Sequence, residues 1–458
     1  MSDLWFPNRK ARLTCTSRNY TSETLVASLP ELKLKKQIIR KMSENKPILH
    51  PKKNKKEKIN VEFIYKSFVD NIESVHLYFK KFGSLAIGED ETIISEKEKF
   101  HKEFLSELTS DLEKLKEEKE NDVIQDYESE KIFRKFTGKI NKKNKISPKN
   151  FEILSRSSFL MLNNYFEYLL TDLLTYYYNK FKNSLNEKEF KLSLKELNEY
   201  ETIEEVNKFL ILKEVETILV EKTFDQLLSH FEEKLTISLE RDLINWDKII
   251  EFRERRHLIV HNSSIVNKKY ISRTKNPFNF KIGEIIHIDN TYFINALKEF
   301  KLGGQLLLFN CWGNWDKENI DSALYEIMIQ TFEDLKVKNY ETVIKTCKYS
   351  EKITARNEQQ EDIIFRVNIN KAIALKKLKN NAELSKTLKN IQVGTASPIF
   401  KIAFQILNDN HNGLIDNFKK AIILDEINID YYLEWPIFDF VRENEELHFQ
   451  LLQTFKNN

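Results

Sequence analysis

The sequence predicts a mostly α, multidomain protein with a minor β insertion. Three observations carry that expectation. Gly and Pro number only 9 and 8 in 458 residues, too few for the many tight turns of an all-β fold. Leu, Ile, Lys and Glu recur in long runs at helical spacing. The last 150 or so residues hold helix-length segments of similar size with short polar joints, a pattern of stacked helical hairpins. Hydrophobic residues make up 41% of the chain, enough for real cores, and its length leaves room for two to four domains. The net charge is +3, so any nucleic-acid footprint must be local.

Taken in order, residues 1–60 show no sustained pattern. Between Glu31 and Asn60 there are 11 Lys or Arg against 3 Glu, ending in Pro51-Lys52-Lys53-Asn54-Lys55-Lys56. Such a run suits a solvated linker or a nucleic-acid contact. Residues 61–145 form a helical, coiled-coil-like region. Within it, Phe100–Lys131 carries an apolar stripe of Phe104, Leu105, Leu108, Leu112 and Leu115. Lys139–Lys149, with Ser147-Pro148 near its end, reads as a second basic linker.

A central domain spans 146–305. Phe151–Lys182 predicts a long apolar helix, and Glu201–Glu221, Phe224–Leu235 and Trp246–His261 predict three more. Asn276-Pro277 breaks the pattern, Gly283–Ile288 is β-like and fits a strand pair, and Thr291–Phe300 resumes a helix. Residues 306–458 follow, with helices expected at Tyr340–Ile353, Asp362–Leu378, Ala382–Ile391, Pro398–Leu407 and Leu414–Leu424. Ala372-Ile373-Ala374-Leu375-Lys376-Lys377-Leu378-Lys379-Asn380 resembles the second helix of a tetratricopeptide repeat, where small Ala residues admit close packing. The Trp-Leu-Gly-Tyr positions of that repeat are poorly kept, so the resemblance is to a degenerate array. Trp435-Pro436-Ile437-Phe438 would belong to a capping element. A plain helical domain fits the same segments.

The chemistry concentrates in Arg255-Arg256-His257-Leu258-Ile259-Val260-His261-Asn262. Arginine grips phosphate bidentately, and histidine moves protons near neutral pH. Asn262-Ser263-Ser264 reads as a helix stop, which places these side chains near a helix C-terminus. With its flanks, Ile249–Tyr270, the segment resembles the signature helix of the HEPN superfamily: Arg, a polar residue, three variable residues, His, and often Asn. Here those positions fall on Arg256, His257, His261 and Asn262. The likeness is close over this helix and looser over 146–300.

The resemblance implies a metal-independent endoribonuclease with an active site formed across a homodimer, often a toxin or an anti-phage defence effector. The 2′-hydroxyl of an RNA, tRNA or mRNA, would attack the adjacent phosphate. His261 would transfer the proton, aided by a helix C-terminus that favours imidazolium. Arg256 would neutralise the transition-state charge. His257, one turn before His261, would be a second proton shuttle or a phosphate ligand. Asn262 would orient the backbone or the histidine. Arg253, Arg255, Lys268, Lys269 and Arg273, with Lys275, would hold RNA phosphates, and Glu167 on the first helix of the domain would assist from the facing side.

Other readings of the same residues remain open at this level. His257 and His261 at i, i+4 suit zinc, but Leu258 stands where the metalloprotease motif needs Glu, and no third ligand is evident. His261 alone could be a hydrogen-bonded structural histidine. The domain could be a non-catalytic scaffold binding RNA or nucleotide, or the chain a helical-repeat adaptor. Serine or cysteine hydrolases lack support, since there is no Gly-x-Ser-x-Gly and no Cys–His pairing. No Gly-rich phosphate loop appears, so no ATPase activity is expected. Cys15, Cys311 and Cys347 form no close pair, which argues against a disulfide framework. There is no signal-peptide core and no membrane-length apolar run, so the expectation is a cytoplasmic protein without a cofactor or membrane contact, with a protein partner or trigger on the C-terminal array.

Overall fold

A computed structural model describes residues 60–117, 129–138, 149–391 and 396–456. The basic N-terminal run, Cys15 and most of the stretch Lys139–Lys149 lie outside these residues. The chain divides into two compact units, Val61–Ala323 and Leu324–Asn458. Helices dominate both. No described helix is long and apolar enough to cross a membrane.

The first unit is built on α1 (Val61–Glu117) and α2 (Asn150–Lys180). Val61, Ile64, Tyr65, Phe68, Ile72, Val75 and Phe79 recur every three or four residues and are all buried, which fixes one face of α1 against the core. Beyond Phe79 the helix continues without that support. Of the stripe expected there, Phe104 is buried against Phe136 at 4.8 Å, while Leu105 and Leu112 are exposed. Lys135, beside Phe136, also pairs with Glu107 at 2.8 Å and Asp111 at 3.1 Å. The start of α2 is held from α1: the Asp90 carboxylate accepts from the backbone N–H groups of Asn150 and Phe151, both at 3.0 Å. These are first-turn donors that a helix leaves unsatisfied.

Next come α3 (Ile203–Glu221), α4 (Phe224–Glu233), α5 (Trp246–His261), α6 (Lys268–Thr274) and α7 (Asn290–Trp315). Side chains cap most of their starts. Thr202 caps α3, Thr223 and Gln226 form a capping box on α4, and Asn245, Asn267 and Asp289 cap α5, α6 and α7. Helix α7 runs through position 305, where the sequence suggested a domain edge, because its Gly303-Gly304 pair is a contact surface and not a break. A Cβ on Gly304 would sit 2.3 Å from the Phe68 ring of α1, and one on Gly303 would sit 2.8 Å from Ile249 of α5. The absent side chains let α7 approach both helices.

The strand pair expected around Gly283–Ile288 is a correction. Among the described residues there is only an isolated antiparallel bridge between Ile265 and Ile285. Ser263 and Ser264 have positive φ as the chain leaves α5, and Asn267 already caps α6. The extended stretch is thus too short to propagate a ladder. Its bonds are Val266 N–H to Glu284, Gly283 N–H to Val266 and Ile286 N–H to Ser264.

After α8 (Ile320–Lys336), the second unit comprises α9 (Tyr340–Ser350), α10 (Glu358–Lys377), α11 (Asn381–Lys389), α12 (Pro398–Leu407), α13 (Leu414–Ile423), α14 (Ile429–Glu434) and α15 (Glu445–Lys456). Several helices pack on a sequence neighbour: α9 on α10, α10 on α11 and α12 on α13. Ala372 and Ala374 are fully buried on α10, where their size admits close packing. The buried Lys371 ammonium is held between Glu351 at 2.7 Å and Glu383 at 3.2 Å. Pro436, Ile437 and Phe438 lie in the core, with Phe438 against Tyr432 and Trp435.

Candidate functional site

The sequence-predicted site lies on the last two turns of α5, and the core fixes that helix firmly. Trp246, Ile249, Phe252 and Leu258 are buried along its length. Leu258 packs with Val266, Tyr270 and Ile286 from the segments that follow. Between these apolar residues runs a buried polar network. The Glu251 carboxylate accepts from Arg255 Nε at 2.7 Å, from the Tyr270 hydroxyl at 2.5 Å and from the Tyr292 hydroxyl. Arg255 also donates to the His287 carbonyl at 3.2 Å and stacks 3.9 Å over the Tyr292 ring. Burial, and then the adjacent Glu251 charge, push both tyrosine hydroxyls above their ordinary range, so they remain donors. The network joins α5 to α6 and α7.

Several expectations change accordingly. Arg255 is 3% exposed and committed to Glu251, so it cannot reach an RNA phosphate without breaking a buried ion pair. Arg253 pairs with Glu167 at 3.0 Å and lies 4.5 Å over the Phe224 ring. That contact also accounts for Glu167, which serves Arg253 and not the histidines. Arg273 is bound to Glu254 at 2.6 Å, and Lys275 lies 3.5 Å from Asp247. Of the two roles expected for Asn262, its bond is of the backbone kind: the side-chain amide donates to the Ile265 carbonyl at 2.5 Å and shapes the turn after α5.

A smaller set is left unspent. Arg256 is half-buried and makes no ion pair among the described residues. His257 and His261 stand with ring centroids 4.8 Å apart at 47°. His261 is exposed, and His257 is partly so. His257 is the electrostatic centre of the group. Partial burial, then Lys269, then His261 hold its pKa below the usual histidine range, with Glu254 opposing and Arg256 adding to the effect. Lys268 and Lys269 are exposed at the start of α6. Among the described residues no third His, Cys, Asp or Glu completes a metal-ligand cluster.

The helix separates the two principal candidates. Five residues at about 100° each place Arg256 and His261 about 140° apart around the axis. His257 and His261 share the solvent face with Glu254, whereas Arg256 lies toward the side of Arg253. One copy of α5 thus offers a histidine pair on one side and an uncommitted guanidinium on another.

Sequence reasoning missed Glu251, Tyr270 and Tyr292. The Glu251–Arg255 spacing of four was a signal for an intrahelical pair. Nothing local marked the tyrosines, which arrive from 19 and 41 residues away. No protein-family model matches the chain, and no match to a curated protein or a solved structure was found.

Proposed function

We propose that the chain is a metal-independent endoribonuclease of the HEPN type, acting on tRNA or mRNA as a homodimer. The observation that carries the reading is selective commitment. Of the basic side chains around α5, Arg253, Arg255 and Arg273 are spent on carboxylates, while Arg256, His257, His261 and Lys269 carry no ion pair among the described residues. Stability does not explain such groups, so a function is sought for them.

In this reading the 2′-oxygen forms a bond to phosphorus and the bond from phosphorus to the 5′-oxygen breaks. One histidine accepts the 2′-hydroxyl proton, and the other donates a proton to the leaving 5′-oxygen. His261 is the principal proton-transfer group and His257 its companion. Arg256 stabilises the charge that builds on the phosphoryl oxygens. The angular gap between Arg256 and His261 is closed by a second copy of α5. Lys268 and Lys269 add salt-sensitive phosphate contacts. The second unit, read as a tetratricopeptide-like array, holds a partner or trigger, and a cytoplasmic role in toxicity or phage defence follows from the HEPN resemblance.

The test is incubation of the purified chain and its H261A variant with total RNA and defined tRNAs in excess EDTA, with product ends mapped. Cleavage by the unsubstituted protein, leaving 2′,3′-cyclic phosphate and 5′-hydroxyl ends, is expected. Loss of His261 should slow it about 10²- to 10⁴-fold. Equal cleavage by both proteins would remove His261 from the mechanism. RNA binding without cleavage by either would favour a scaffold.

A further inference from the structure

The histidine pair has a second chemical capacity. Two imidazoles bound to one ion at about 2.0–2.1 Å have ring centroids about 4.5–5.2 Å apart for ligand–metal–ligand angles of about 90–109°. The centroids of His257 and His261 are 4.8 Å apart. Their separation falls inside that window, and chelation requires each ring to turn one nitrogen toward a common point.

The setting favours this over an incidental pairing. Three other histidines have polar partners: His230 meets Tyr178, His448 meets Tyr432 and His76 meets Glu73. His257 and His261 meet only each other among the described residues. Their helix is held by the Glu251 network and closed by the Asn262 cap, so both rings project from a fixed backbone. Glu254 shares their face but is bound to Arg273, which leaves water to complete the coordination. Lys269 and Arg256 lie within electrostatic reach and weaken the affinity without blocking access.

We propose that His257 and His261 chelate one divalent ion of the borderline transition class, such as Zn²⁺ or Cu²⁺, and that this ion is an inhibitor of the site. Imidazole suits these ions, Cu²⁺ binds more tightly than Zn²⁺, and Mg²⁺ does not compete. A bound ion occupies the lone pairs that proton transfer needs. That inhibition rests on the ribonuclease reading, whereas the chelate itself does not.

The experiment is calorimetric titration of the metal-stripped full chain and of H257Q and H261Q with ZnCl₂, CuCl₂ and MgCl₂, with helical content checked by circular dichroism. The unsubstituted chain should take up one equivalent of Zn²⁺ and, more tightly, of Cu²⁺. Each substitution should weaken that event about tenfold or more, since removing one of two ligands leaves a single imidazole. Absence of the event, or its survival in either folded variant, overturns the proposal. In parallel, one equivalent of Zn²⁺ should stop RNA cleavage and EDTA should restore it. A chain that binds Zn²⁺ through both histidines yet never cleaves RNA would sink the ribonuclease reading and leave the chelate standing.

Discussion

His230 shows at the scale of one residue how burial sets the free energy of protonation. Its Nε2 lies 3.0 Å from the Tyr178 hydroxyl. Burial foremost, then Lys222, Lys234 and Lys188, pull its pKa down to about 4. The folded state therefore refuses a proton that the unfolded chain accepts from about pH 6.5 downward. Stability should be unaffected above that pH and should fall as pH drops from about 6.5 to about 4, by about 1–2 kcal/mol once solvent screening of this half-buried site is allowed for. Urea unfolding of the chain and of H230Q across this range checks it: the variant should lack that part of the slope. The same logic of committed and uncommitted groups governs α5. R256A, with its guanidinium outside any ion pair, should keep the fold's stability within about 0.5 kcal/mol, whereas removing buried Arg255 leaves Glu251 uncompensated and should cost about 3 kcal/mol or more. Thermal unfolding of R256A and R255A separates the two.

Among the elements, the glycine pair of α7 has the clearest energetic role. G304A places a methyl group into the Phe68 ring, with Leu169 at 3.0 Å on another side. Phe68 is itself packed against Phe166, so it has little room to yield. The cost expected from such overpacking is about 1–3 kcal/mol, read as a lower denaturation midpoint. Helices were the legible level of this chain. The expected segments Pro398–Leu407 and Trp246–His261 match α12 and α5 end for end, because caps and apolar periodicity are local signals. The turns were less legible because they avoid glycine. Lys338, Lys379, Asp409 and Asp425 take left-handed φ just after helix ends. At each, the following N–H reaches five residues back, as Asn380 to Leu375 at 2.9 Å and Glu426 to Ala421 at 2.8 Å. These are Schellman closures built on residues that usually advertise a solvated surface. In the site, the Arg-x4-His spacing was legible, but the burial of Arg255 depends on rings from 278, 280 and 292 that no local pattern announces.

For the whole molecule, the separation of Arg256 from His261 makes assembly the central question. If each active site takes its arginine and its histidine from different copies, R256A and H261A should be nearly inactive alone and regain activity when mixed. An equal mixture that exchanges freely should recover roughly a quarter of full activity, since half the dimers are mixed and each carries one complete site. No recovery, in a mixture shown by mass to contain mixed dimers, would place the whole site within one copy.

The carboxylate that reaches from the middle of α1 to the start of α2 has a kinetic consequence. First-turn amides of a helix ordinarily trade their protons for deuterium quickly, because no carbonyl shields them. Asn150 and Phe151 instead donate to Asp90, 60 and 61 residues earlier in the chain. Their exchange rates should report how often α1 lifts from α2, long before either helix unwinds. Two amides thus become a clock for the opening of the unit that carries the histidines.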